Sequence, residues 1–298
     1  MVMPNFLIIG AAKAGTTSLS HYLSQHPQIY MSARKEPKFF AFEGEQVNPL
    51  DPANARSITD LSVYKQLFAG VKQEIAIGEV SPIYLTSMKA PYRIHHHIPD
   101  AKLIAVLRNP VDRAYSHFVH MIQKEVEPLT DFIQALDQPE HEINGFIRKR
   151  PYIDFGFYTV QLQRYFDLFP ATQLKVCLYD DLQRDSIKFL QDIFQFLQVD
   201  DTFVPANLFK YNASGIPKNR MLNRWLTSKA NPWRALAKSL CPVWVRQSLV
   251  KKVQQQNYVQ TAMPIAARQQ LIALYREDVL KLQDLIDRDL SMWLNSPV

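Results

Sequence analysis

Gly10-Ala11-Ala12-Lys13-Ala14-Gly15-Thr16-Thr17 places two glycines five residues apart, directly after the apolar run Asn5–Gly10. Between a strand and a helix, such a loop wraps an anion with its backbone N–H groups aimed inward. The nucleotide-triphosphatase version of the loop needs Lys after the second glycine, to reach the terminal phosphates, and then a hydroxyl on Mg²⁺. Here Thr16 takes the lysine position and Lys13 lies inside the loop, so the residues suit an anion better than a metal-bound triphosphate. Asp180 and Asp181, after the run Leu174–Leu178, are the carboxylates that could still hold a metal; their alternative is the start of a helix before Leu182. A second anion contact is Arg108, with Ser116 eight residues on. An arginine at the carboxyl end of a parallel strand points into the crevice where open α/β sheets bind ligands. The neighbouring Asp112 and Arg113 read as a helix-start ion pair. His95, His96 and His97 are consecutive, so they cannot share one face of a helix or strand and make a poor metal site; they read as a surface connection before Pro99. His117 and His120 share a face at i, i+3, where packing or exposure outweighs a part in the site.

These residues need a scaffold, and the apolar runs supply one. Asn5–Gly10, Ile75–Ile77, Lys102–Leu107 and Leu174–Leu178 read as buried strands. Thr16–Ser24, Val111–Lys124 (with Pro110 at its start), Phe157–Phe169 and Leu182–Leu197 read as helices. Strands alternating with helices predict an α/β fold, with a mostly parallel sheet covered on both faces. Leu271, Leu274, Tyr275, Leu282, Leu285 and Ile286 recur at helical spacing and predict an amphipathic C-terminal helix. The 298 residues read as one domain, an α/β core over 1–200 and a helical elaboration over 201–298. Hydrophobic residues at 47% and charged residues at 21% exclude a disordered chain. Two cysteines, Cys177 and Cys241, exclude a disulfide framework. No run of about 18 apolar residues exists and the N-terminus has no secretory pattern, so the expected location is cytoplasmic.

The net charge of +6 is unevenly spread: residues 202–275 hold eleven Lys and Arg and no Asp or Glu. Such a tract faces anionic partners or forms a solvated helical face. Trp225, Trp233 and Trp244 lie within it, which admits docking to an anionic membrane surface or an acidic carrier, beside plain packing on the core. Nucleic acid is not expected as a partner.

In order along the chain, the motifs resemble those of sulfotransferases that use 3'-phosphoadenosine 5'-phosphosulfate (PAPS). Lys13-Ala14-Gly15-Thr16-Thr17-Ser18 is similar to the family's loop for the 5'-phosphosulfate, and Arg108 through Ser116 to its 3'-phosphate motif. Arg34-Lys35-Glu36-Pro37-Lys38-Phe39-Phe40 and Glu79-Val80-Ser81-Pro82-Ile83-Tyr84 resemble segments of the carbohydrate branch. Ser214–Arg220, with Lys218, Asn219 and Arg220, looks like the late basic loop over the cofactor, and Leu271–Trp293 like the terminal helix. Lys38 and Val80 stand where that branch often has His and Lys, so its glycosaminoglycan acceptor does not carry over. The resemblance implies a three-layer P-loop-type fold, PAPS as co-substrate without a metal, and adenosine 3',5'-bisphosphate (PAP) as product. The acceptor would be a hydroxyl of a carbohydrate, lipid or other small molecule. By charge, Lys13 and Lys35 suit the leaving phosphate; the resemblance implies Glu79 as general base, its alternative being a structural carboxylate that pairs Lys35 or Lys13. A small-molecule or nucleotide kinase, and a non-catalytic anion-binding module, remain the alternatives.

Overall fold

The computed structural model describes residues 2–48, 51, 54–138, 140–143, 146–149, 152–206, 215–217, 258–259 and 261–295. Five strands form one parallel sheet: β1 (Phe6–Gly10), β2 (Ile29–Met31), β3 (Ala76–Val80), β4 (Lys102–Leu107) and β7 (Leu174–Leu178). Their order is β2-β3-β1-β4-β7. Outside it, β5 (Glu140–Ile143) pairs antiparallel with β6 (Phe146–Lys149), and β8 (Ile216–Pro217) with β9 (Tyr258–Val259). Every residue of the central β1 (Phe-Leu-Ile-Ile-Gly) is buried, as in a strand covered on both faces, which the continuous apolar run foretells. β1 pairs Leu7 with Glu79 of β3 and Ile8 with Ile104 of β4. Gly78 is required by packing, since a Cβ there would stand 2.3 Å from the Phe6 ring.

Helices connect the strands: α1 (Thr16–Leu23), α2 (Phe39–Phe42), α3 (Leu61–Gln66), α4 (Ala90–His97), α5 (Pro110–Gln123), α6 (Phe132–Asp137), α7 (Tyr158–Phe166), α8 (Tyr179–Arg184) and α9 (Ser186–Leu197). The C-terminal pattern becomes α10 (Ile265–Ile286), which packs on α5 and α7. Because all five strands of the large sheet run the same way, the loops after β1, β3 and β4 gather at one edge. The phosphate-loop residues, Ser81 and Arg108 are therefore neighbours by topology.

Several expectations change. The helix read as Leu182–Leu197 is two, because the Asp185 carboxylate caps α9 by accepting from the Ile187 and Lys188 N–H groups at 3.1 and 3.0 Å. The histidine run is the last turn of α4, where His97 Nε2 lies 2.6 Å from Glu43. Asp112 and Arg113 do not pair. Asp112 accepts from Arg268 of α10 at 2.6 Å, and Arg113 is fully buried, donating to the Tyr152 carbonyl at 2.5 Å. The three-residue β2 and the two short antiparallel pairs were not expected. Lys218, Asn219 and Arg220 lie outside the described residues, as does most of the basic tract. Among the described residues no helix is long and apolar enough to cross a membrane.

Candidate active site

The loop leaves β1 and turns into α1 through two left-handed residues, Lys13 at φ 72° and Gly15 at φ 82°. Gly15 meets a second constraint, because a Cβ there would stand 2.8 Å from the Tyr179 ring. Gly15 is the N-cap of α1 and no side chain caps the helix, so its first N–H groups are available to an anion. Ala14 contributes packing instead: it is buried, and its N–H bonds the Ala11 carbonyl at 3.2 Å. Thr16 and Ser18 are also buried, and the Ser18 hydroxyl bonds Tyr22.

Cations converge on this helix start. Lys35 donates to the Thr17 hydroxyl at 2.6 Å, which brings the segment after β2 onto the loop. Arg108, just past β4, donates to the Lys13 carbonyl at 3.2 Å, and its guanidinium lies 5.1 Å from the Tyr179 ring centroid. Tyr158 fixes the Arg108 backbone by donating to its carbonyl at 3.0 Å. Burial lowers the Lys13 pKa to about 8, with Arg108, Lys35 and Lys124 adding repulsion. Burial, then Lys13, Lys124 and Lys35, pushes His120 down to about 3, so its ring stays neutral at physiological pH. His120 is thus packed near these cations. Lys124 was missed. Ser116, His120 and Lys124 recur every four residues along α5, a spacing that carries the signal. Ser116 is buried two turns into α5.

Glu79, expected to take the acceptor's proton, is fully buried at the end of β3, and its Oε2 has no hydrogen-bond partner among the described residues. Tyr84 and Tyr64 donate to its Oε1 at 2.6 and 3.3 Å. Burial raises its pKa to about 7, opposed by the hydroxyls of Tyr84, Ser81 and Tyr64. The carboxylate at the surface here is Glu36, 3.7 Å from Lys35 Nζ and 4.0 Å from Lys38 Nζ, with its side chain 39% exposed. Glu36 and Lys38 hold left-handed backbone, φ 53° and 60°, on either side of Pro37. Such conformations in residues other than glycine cluster at functional sites.

The two carboxylates of the kinase alternative have other partners. Asp180 accepts from the Trp293 indole N–H at 2.9 Å, and Asp181 holds Arg184 and Arg288 at 3.1 and 2.8 Å. Among the described residues, no group of three or more His, Cys, Asp or Glu could hold a metal ion.

Comparison with known proteins gives the family. Residues 4–203 match the Sulfotransferase family. A sulfotransferase of known structure from Alicyclobacillus acidocaldarius is 32% identical, with a TM-score of 0.74, covering 99% of this chain and 100% of that one. The human bifunctional heparan sulfate N-deacetylase/N-sulfotransferase 3 is 31% identical over 205 residues, 66% of this chain and 22% of that protein. The membrane-associated sulfotransferase kil1 of Dictyostelium discoideum is 32% identical over 123 residues, 41% of this chain and 24% of that protein. The chain thus spans about a quarter of the length of these curated relatives.

Proposed function

Because the chain belongs to the sulfotransferase family, we propose that it transfers a sulfuryl group from PAPS to an acceptor on a carbohydrate or similar small molecule. The observation that carries this reading is the gathering of Lys13, Lys35, Arg108 and Lys124 about the uncapped start of α1. A donor with phosphates at both ends of a nucleoside fits such a site without a metal. PAPS supplies a sulfuryl group already activated on a phosphate, and the protein's task is to position and to neutralise charge.

Lys13, Lys35 and the first N–H groups of α1 bind the leaving phosphate. Thr17 orients Lys35 through its 2.6 Å bond. Arg108 and Ser116 hold the second phosphate, with Tyr179 keeping the guanidinium flat. Glu79 takes the acceptor's proton: burial raises its pKa to about 7, near the operating pH that suits a general base, and its Oε2 has no partner among the described residues. His120 is neutral, bonds Gln123, and adds no charge to the cluster. The acceptor is read from the heparan sulfate relatives only as far as carbohydrate, since Lys38 and Val80 depart from that branch. The location read from composition is cytoplasmic.

The test is turnover of dialysed protein in EDTA, with ³⁵S-labelled PAPS and a panel of oligosaccharides, beside ATP with Mg²⁺. Label on an acceptor in EDTA is expected. Phosphoryl transfer from ATP that needs Mg²⁺, with none from PAPS, would establish a kinase instead.

A further inference from the structure

Trp293 lies beyond residues 4–203, the stretch that matches the family, yet its bonds end on the neighbours of Arg108 and Tyr179. The strand register sets those two side by side. Leu107 of β4 pairs with Leu178 of β7, and Arg108 and Tyr179 are the residues that follow. The Arg108 guanidinium lies 5.1 Å from the Tyr179 ring centroid, and the same ring leaves room only for a hydrogen at Gly15 of the phosphate loop. One residue further along each chain stand Asn109 and Asp180.

Trp293 joins these two. Its carbonyl accepts from the Asn109 amide Nδ2 at 3.3 Å, and its indole N–H donates to Asp180 Oδ2 at 2.9 Å. Its ring meets Tyr158 edge-on, centroids 6.5 Å apart, and the Tyr158 hydroxyl donates to the Arg108 carbonyl at 3.0 Å. A buried indole finds an acceptor for its N–H, and a carboxylate makes that bond charge-assisted. The place of Trp293 is in turn set from α10. It is 5% exposed in the turn Ser291–Leu294, Leu290 N–H donates to Gln283 Oε1 at 2.8 Å, and Arg288 pairs with Asp181 at 2.8 Å. A long arginine side chain loses rotamer freedom when a ligand fixes it, so holding it beforehand raises affinity.

We propose that Trp293 is a positioning residue of the donor site: by tying Asn109 to Asp180 and packing on Tyr158, it keeps Arg108 on the Tyr179 ring, in place to receive a phosphate. The inference rests on the reading of Arg108 as the contact to the donor's second phosphate. Its consequence is selective. A nucleotide without a 3'-phosphate gives Arg108 nothing to hold, so loosening Arg108 leaves the affinity for that nucleotide unchanged.

Trp293→Phe keeps an aromatic ring and the backbone carbonyl and removes the indole N–H. Calorimetry with PAP and with adenosine 5'-monophosphate, which lacks the 3'-phosphate, reads the effect. Trp293→Phe should bind PAP about fivefold more weakly or worse, and adenosine 5'-monophosphate within about twofold of wild type. Asp180→Ala should match it, and Asp180→Asn, which keeps an acceptor for the indole, should recover most of the affinity. In the Arg108→Ala background Trp293→Phe should cost nothing further, because residues that act through one another are not additive. If Trp293→Phe does not fold, Asp180→Ala carries both comparisons. Equal losses for the two ligands, or a full further loss in the Arg108→Ala background, would make Trp293 a support of the fold alone and overturn the proposal. Wild-type PAP affinity in folded Trp293→Phe would overturn it as well. Wild-type PAP affinity in Arg108→Ala would instead refute the reading of Arg108, and the proposal with it, so the two failures are told apart.

Discussion

Replacing Glu79 by Gln should change how stability depends on pH. The carboxyl's pKa is raised from the ordinary 4.5 to about 7, with burial as the largest cause. A carboxylate shifted upward resists ionisation in the fold, so its contribution is fully present below the unfolded pKa. That contribution is lost as pH rises through the folded pKa, and the loss levels off above it. At 1.36 kcal/mol per pKa unit, the full penalty is about 3 kcal/mol, of which about 2 to 3 falls between pH 5 and pH 8. The substituted amide carries no charge at any pH, and every other titrating group is common to both proteins. The stability of wild type relative to Glu79→Gln should therefore fall by about 2 to 3 kcal/mol from pH 5 to pH 8. Urea unfolding at half-unit pH steps measures it, with tryptophan fluorescence and circular dichroism required to coincide before a free energy is taken. A difference that stays flat with pH would refute the reasoning, since it would mean that Glu79 ionises in the fold as freely as in the unfolded chain.

Lys13, lowered to about 8, should make PAP binding weaken by about tenfold between pH 7 and pH 9 as the ammonium is lost; calorimetry checks this, and Lys13→Arg should flatten the dependence. Gly78→Ala should cost about 1–3 kcal/mol in a urea titration, because its Cβ would overlap the Phe6 ring in a packed sheet. Gly15→Ala combines a left-handed φ with a collision against Tyr179, and should weaken PAP binding more than it lowers the thermal midpoint. The His120 ring should show no titration by NMR from pH 5 to pH 8, given its pKa near 3.

Much of the scaffold was legible because its signals are local. β1, β4 and β7 are short apolar runs, α5 begins at a proline after a capping asparagine, and the glycine pair marks the loop. β2 escaped because three residues give no pattern, and the break at Asp185 because a capping carboxylate looks like any charged helix residue. Glu79 was placed correctly at the end of a strand, but its full burial is not written locally. In a strand buried on both faces, position does not reveal exposure. Neither the left-handed backbone of Glu36 and Lys38 nor the bond from Lys35 to Thr17 is written locally. His97 has its partner Glu43 54 residues away, a pairing that only the fold supplies.

The central claim is that Lys13 and Arg108 hold the two phosphates of one molecule at the start of α1 and the end of β4. Titration of PAP into metal-free protein, compared with Lys13→Ala and Arg108→Ala, tests it most directly. Wild type should bind in EDTA, and each variant should lose about tenfold or more in affinity while its circular dichroism stays unchanged, as loss of a charge-assisted contact implies. Wild-type affinity in both variants, or binding that requires Mg²⁺, would contradict the account.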